Sequence, residues 1–224
     1  MRPKYYQCPT HEIVEYVESL LDLKNDTDLN IVLKRAKASG TPPLQITHAD
    51  ARHLEILARL VKPKKILEFG TLCGYSAVAL SRALVKNGVL YTCEKSHHHA
   101  ITASQTFHEL KLNKKIILIE GDALNHFTAL SANAPYDVIF IDSKKEDYPD
   151  FFEWCILHLK KGGLLLADNV FALGYIHKNA SELSDKLSSI VAQMQKFNLM
   201  CVSDKRLRTT IFPTGEGLLA AVKL

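Results

Sequence analysis

Four acids stand where apolar runs end. They are Glu68 after Ile66-Leu67, Glu94 after Thr92-Cys93, Asp142 after Phe140-Ile141, and Asp168 after Leu166-Ala167, with Asn169 next to it. If those ends share one edge, Asp142, Asp168 and Asn169 bring two carboxylates and an amide oxygen together. The carboxylates then repel unless a cation, an Arg or a Lys compensates them. An all-oxygen set selects a hard divalent ion, Mg²⁺, Mn²⁺ or Ca²⁺, rather than zinc. With a coordination position left open, such an ion would take a substrate hydroxyl and lower its pKa. Lys145 follows Asp142 closely, and like charge beside it would favour its neutral amine, a general base near neutral pH. The residue types alone leave a second reading open, in which Asp168-Asn169 caps the next segment and Asp142 pairs with Lys144 or Lys145.

Glu68 leads into Gly70-Thr71-Leu72-Cys73-Gly74 and then into helix-favouring residues from Tyr75. The spacing is G-x-x-x-G, not the G-x-G-x-x-G that seats a dinucleotide pyrophosphate on a helix N-terminus. Glycines lacking a Cβ would let backbone approach a ligand here. Glu68 suits an ammonium better than a pyrophosphate, so the loop favours a cationic, amino-acid-bearing nucleotide over NAD. Without a ligand, the same residues describe an ordinary strand-to-helix turn. Glu94, after the second strand, can accept both ribose hydroxyls and would repel a 2′-phosphate; alone, it would be a solvated helix cap.

These residues need a parallel sheet to bring them together. Strands are expected at Lys65–Phe69, Val89–Cys93, Ile116–Glu120, Asp137–Asp142 and Leu164–Asp168. Helices are expected between them at Tyr75–Val85, Ser96–Leu110, Ala123–Leu130 and Tyr148–Leu159. Such alternation means an α/β, doubly wound, mostly parallel sheet whose ligands sit at the carboxyl ends of the strands. A helix near Ser181–Lys196 and strands near Met200–Ser203 and Gly217–Val222 follow. The segment between those two strands is too short for a helical crossover, so at least one pairs antiparallel. Ahead of the sheet come a helix after Pro9-Thr10 with an apolar stripe at Ile13, Tyr16, Val17, Leu20 and Leu21, a second near Leu29–Ala38, and a third capped by Thr47-His48-Ala49-Asp50. The third should bury Leu54, Leu57 and Leu60. Residues 1–62 thus form a helical cover or lid on a core of residues 63–224, within one domain.

Bulk properties exclude several classes. A chain of 224 residues with 47% hydrophobic and 23% charged residues is an ordinary globular composition. The net charge of +4 comes without a dense basic block, so nucleic-acid binding has little support. The five cysteines are dispersed, as in a reducing cytoplasm. Neither a signal-peptide core nor a run long enough to span a bilayer is visible.

The motifs together resemble one family, the cation-dependent, S-adenosylmethionine-using O-methyltransferases of the catechol and caffeoyl-CoA type. The likeness is carried by Leu67-Glu68-Phe69-Gly70-Thr71-Leu72-Cys73-Gly74-Tyr75-Ser76, Glu94, Glu120-Gly121-Asp122-Ala123-Leu124 and Tyr136 to Asp142. It continues through Lys145 with Tyr148, Gly162 to Asn169, and Phe212-Pro213-Thr214-Gly215-Glu216-Gly217-Leu218. The resemblance implies a seven-stranded class I methyltransferase sheet with its last strand antiparallel, often as a homodimer. It implies that Glu68, Gly70 and Ser76 hold the methionine part of S-adenosylmethionine, Glu94 the ribose, and Ala123 the adenine edge. Ile46, in Leu44-Gln45-Ile46, would touch the donor from a lid. Asp142, Asp168 and Asn169 would bind Mg²⁺ or a similar ion, with Asp142 also near the donor's amino group. Lys145 matches the family's catalytic lysine, and the acceptor would be a small phenol. In-line attack of its oxygen on the sulfonium methyl annihilates charge, which a water-excluded site favours.

The chain departs from the family at Asp142-Ser143-Lys144-Lys145, where caffeoyl-CoA relatives have Asp-Ala-Asp-Lys. Lys144 therefore either favours an acidic acceptor or points to solvent, the reading preferred here. Lys95, after the ribose acid, is an unusual neighbour for adenine. His97-His98-His99 cannot converge on one ion, because consecutive helical residues point about 100° apart. Cys73 shows no base partner, and Trp154 with Phe151 and Phe152 reads as a buried helix face, with Tyr148 able to border the acceptor pocket. The rival functions are a donor-binding protein without turnover and an NAD-type oxidoreductase.

Overall fold

The computed structural model describes residues 11–224; Cys8 and the Pro9-Thr10 start of the first expected helix lie outside them. Strands β1 (Lys65–Phe69), β2 (Val89–Glu94), β3 (Ile116–Glu120), β4 (Tyr136–Ile141), β5 (Leu159–Ala167), β6 (Leu207–Phe212) and β7 (Leu218–Lys223) form one sheet, in the order β3-β2-β1-β4-β5-β7-β6. The first five pair in parallel, and β7 runs antiparallel between β5 and β6. Order reverses between β1, which pairs with β2 on one side, and β4 on the other. That reversal opens a crevice between diverging connections.

Register decides which side chains meet there. Phe69 is level with Cys93 and with Ile141, and Ile141 with Ala167. The residues that follow therefore emerge together at one edge. Both sheet faces are covered, so the strands read as unbroken apolar runs. Ile66, Val138, Phe140, Leu164 and Leu166 pack into one core. The alternating Leu67, Phe69, Ile139, Ile141, Leu165 and Ala167 pack into the other, as a two-residue side-chain period requires.

The first core lies under helices α2 (Thr27–Ser39), α3 (His48–Leu60), α4 (Tyr75–Ser81) and α5 (His97–Glu109), and helix α1 (His11–Leu20) packs outside it against α3. Asp26 caps α2 by accepting from the Leu29 amide at 3.1 Å. It also takes two bonds from Arg82, at 2.6 and 2.7 Å, which tie the helical cover to the end of α4. Thr47 caps α3 through the Asp50 amide at 3.0 Å, as expected from the capping pattern. Helices α6 (Phe127–Ser131), α7 (Tyr148–His158) and α8 (Asp185–Ser203) flank the opposite face.

The structure corrects several expectations. Met200–Ser203 is the end of α8 and not a strand, because Val191, Met194, Phe197 and Cys201 recur at helical spacing and are all buried. The strand expected there lies at β6, an edge strand whose alternation Arg208, Thr209 and Thr210 obscure. The stripe on α1 does not enter the core: Ile13, Tyr16, Leu20 and Leu21 are exposed. In α3 the buried stripe is Ala51, Leu54 and Ala58, and Leu60 has rotated off it to 74% exposure. Ala123–Leu130 divides into a 3₁₀ turn, Ala123–His126, and the short α6.

Gly70 and Gly74 prove necessary for the chain's own packing. A Cβ on Gly70, at φ +98°, would stand 1.8 Å from the Asp142 carbonyl oxygen. One on Gly74, at φ +90°, would stand 2.5 Å from the Phe107 ring. The first contact locks the turn after β1 against the end of β4. Gly70→Ala is therefore expected to cost about 3 kcal/mol or more through combined strain and clash. Urea unfolding followed by circular dichroism measures it; a loss below about 1 kcal/mol would mean the turn has slack.

Candidate active site

A cavity of about 630 Å³ opens at the carboxyl edge where strand order reverses. Its walls include Ile46 from the segment before α3, Gly70 and Ser76 from the turn into α4, Glu94 after β2, and Ala123 after β3. Asp142 and Lys145 after β4 and Asp168 and Asn169 after β5 complete it. Every predicted site residue except Glu68 thus borders one space. Ile46 is buried although its neighbour Leu44 is 73% exposed, so the lid segment points one side chain inward.

Glu68 sits fully buried behind the wall. Thr92 donates to its Oε2 at 2.5 Å, whereas Oε1 has no hydrogen-bond partner. Burial pushes this carboxyl up to about 8, against the pull of the nearby Ser76 and Thr92 hydroxyls, with Asp142 and Glu94 adding repulsion. An orphaned, buried acid oxygen beside a nucleotide-sized cavity fits a ligand ammonium. Glu94 accepts from the Leu72 amide at 2.7 Å and the Ser96 amide at 2.8 Å, so its carboxylate is oriented by backbone from both flanking turns. Lys95 borders the cavity and pairs with Asp122 at 2.7 Å across the rim.

At the other end the charges are unbalanced. Burial, with Asp142 next to it, pushes Asp168 up to about 8; Lys145 and the Asn169 amide only partly offset this. Asp50, read from the sequence only as part of a cap, adds further repulsion. Lys145 donates to Asp142 Oδ1 at 3.1 Å and to the Tyr148 hydroxyl at 3.0 Å. Burial alone would lower its pKa, but Tyr148 and Asp142 outweigh that and hold the ammonium charged above its ordinary range. Lys145 is thus held protonated while Asp142 pairs with it. Tyr148 does not border the pocket: it is fully buried, and its hydroxyl reaches the Ile141 and Asp168 carbonyls at 3.2 and 3.1 Å. It joins the ends of β4 and β5 and presents an oxygen to Lys145. Lys144 is exposed at the rim; burial raises the pKa of the nearby Asp147, and Lys144 only partly opposes that shift.

Among the described residues, no three His, Cys, Asp or Glu side chains form a ready-made metal cage. The oxygen set available is two carboxylates and the Asn169 amide, and its only partly relieved repulsion fits a hard cation. The Asn169 Nδ2 donates to Glu216, another wall residue. Sequence reasoning quoted Glu216 within a motif and gave it no role; an acid set between Gly215 and Gly217 was the available signal. His97 pairs with Glu120 while His99 faces Glu94, so the histidine run does diverge. Cys73 is buried and its thiol is pushed up to about 11 by burial, which leaves it inert.

Residues 23–224 match the family described as O-methyltransferase. The chain belongs to this family. Its relatives include a catechol O-methyltransferase of Niastella koreensis, 32% identical over 199 residues, covering 88% of this chain and 87% of the relative. Among solved structures, an O-methyltransferase from Bacillus cereus in complex with SAH superposes with a TM-score of 0.86 at 27% identity, covering 95% of this chain and 97% of that one. One from Streptomyces achromogenes in complex with SAM gives 0.84 at 27% identity, covering 95% and 96%. The O-methyltransferase resemblance and the seven-stranded fold are both borne out. Among the described residues, no helix is long and apolar enough to cross a membrane.

The raised carboxyl of Asp168 makes this O-methyltransferase pH-sensitive in a definite direction. A carboxyl whose folded pKa exceeds its unfolded value binds more protons when folded. Its stabilising contribution is complete below the ordinary carboxylate range and is lost as pH rises towards about 8. Metal-free protein should therefore weaken between about pH 5 and pH 8, and Asp168→Asn should flatten that slope and add on the order of 2 kcal/mol at pH 8. Urea unfolding at both pH values checks this; an unchanged slope in D168N would place the liability elsewhere.

Proposed function

We propose that this O-methyltransferase moves the methyl of S-adenosylmethionine to a phenolic, catechol-like hydroxyl at a divalent cation, with Lys145 taking the proton. The observation that carries this reading is the pair Asp142 and Asp168, only partly compensated by Lys145 at the end of a nucleotide-sized cavity. The names of the Niastella koreensis relative and of a Mycobacterium tuberculosis relative, both catechol O-methyltransferases, support the acceptor class.

When bound, the donor supplies an electrophilic sulfonium methyl and a divalent ion such as Mg²⁺ supplies the charge that acidifies the hydroxyl. Glu68 would answer the donor's ammonium from behind the wall, and an ammonium there would keep it ionised. Gly70 and Ser76 would border the methionine part, Glu94 would accept from the ribose, and Ala123 and Ile46 would border the base and the lid side. Asp142, Asp168 and Asn169 would hold the ion. Lys145 keeps its proton while Asp142 is free to pair with it; with that carboxylate engaged elsewhere, the neutral amine is favoured. The Tyr148 hydroxyl then keeps Lys145 aimed. Ile46, Phe151 and Ala172 present apolar surface that excludes water from a reaction which annihilates charge.

Calorimetric titration with S-adenosylhomocysteine, followed by methyl transfer to catechol with Mg²⁺ or EDTA, tests the reading. Binding and EDTA-sensitive turnover are expected, and Lys145→Ala should lower kcat about 10²- to 10³-fold while donor affinity survives. Turnover indifferent to EDTA would remove the cation, and binding without turnover on any phenol would leave a donor-binding protein.

A further inference from the structure

Glu216 has a geometric relation to Asn169 that neither residue's place in the sequence explains. The Val170 amide donates to the Gly217 carbonyl at 3.1 Å and the Phe171 amide to the Glu216 carbonyl at 2.9 Å. Gly217, at φ +81°, packs so closely on Phe171 that a Cβ would meet its ring at 2.6 Å. The loop before β7 is thus fastened along the turn that leaves β5, and Glu216 cannot drift from Asn169. Asn169 itself is in the left-handed region at φ 57°, which only a few side chains adopt readily.

An amide has a donor end and an acceptor end, whereas a carboxylate only accepts. With its Nδ2 held by Glu216, Asn169 must turn Oδ1 away from that carboxylate. Oδ1 makes no hydrogen bond of its own among the described residues, and Asn169 borders the cavity beside Asp168. A hard cation takes a carbonyl oxygen and is repelled by an amide NH₂. The orientation of this one side chain therefore decides whether the site has three oxygen ligands or two.

We propose that Glu216 is a positioning residue that fixes the Asn169 amide with Oδ1 presented to the divalent cation. This rests on the cation site proposed above. Outer partners of this kind change metal affinity about 10- to 100-fold when removed. Glu216 is exposed, so its replacement leaves the fold's cores intact.

The test titrates Mn²⁺ into the full chain and reads free Mn²⁺ by electron paramagnetic resonance, with thermal unfolding run alongside. Glu216→Ala and Glu216→Ser should each weaken Mn²⁺ at least about tenfold at an unchanged unfolding midpoint. Glu216→Gln, whose amide oxygen can still accept from Asn169, should stay within about threefold of wild type. E216A and E216S binding Mn²⁺ as wild type does would overturn the positioning role and leave the cation site standing. E216Q falling as far as E216A would make Glu216 a direct charged ligand instead. Wild type binding no Mn²⁺ would remove the cation reading and this inference with it.

Discussion

Asp142 and Asp168 repel each other, and the sheet gives neither of them room to retreat. Ile141 and Ala167 are paired in parallel register, so the acids that follow must emerge as neighbours. Lys145 neutralises part of that charge through Asp142, but its reach is divided with Tyr148. Much of the local architecture serves to hold this unfavourable arrangement. Gly70 lets the turn after β1 close on the Asp142 carbonyl, and the Tyr148 hydroxyl joins the backbone ends of β4 and β5. A site built this way carries its instability in the empty state.

The donor end follows a different logic. Here the acids are oriented rather than opposed: Glu94 is held by two backbone amides, and Glu68 is buried with one oxygen engaged and one left over. Desolvation makes the leftover oxygen selective, because a buried carboxyl rewards a cationic partner far more than a neutral one.

Much of this was legible in the sequence because the informative residues are set by strand ends. An apolar run that stops at an acid reveals both the strand and the edge, and the parallel sheet then brings the acids together without further information. What stayed hidden depends on long-range packing. Glu216 reaches Asn169 only because β7 runs antiparallel beside β5. Tyr148 looked like a pocket residue because a tyrosine near a lysine says nothing about which side of the wall it occupies. Leu60 and Met200–Ser203 are local misreadings, one because six residues carry Leu60 about 120° round the helix from Leu54 and the other because of a β-favouring composition inside a helix.

The segment that passes over the cavity is suspended between two finished helix ends. Gly40 closes α2 in the left-handed conformation, with the Thr41 amide returning to Ala36, and Thr47 opens α3. Between them lie Pro42 and Pro43, whose backbone has little freedom in any state. Such a strap has few conformations to surrender when a ligand arrives beneath it. The ordering cost that usually weakens binding under a loop is largely met during folding, so affinity here is set by contacts rather than by closure.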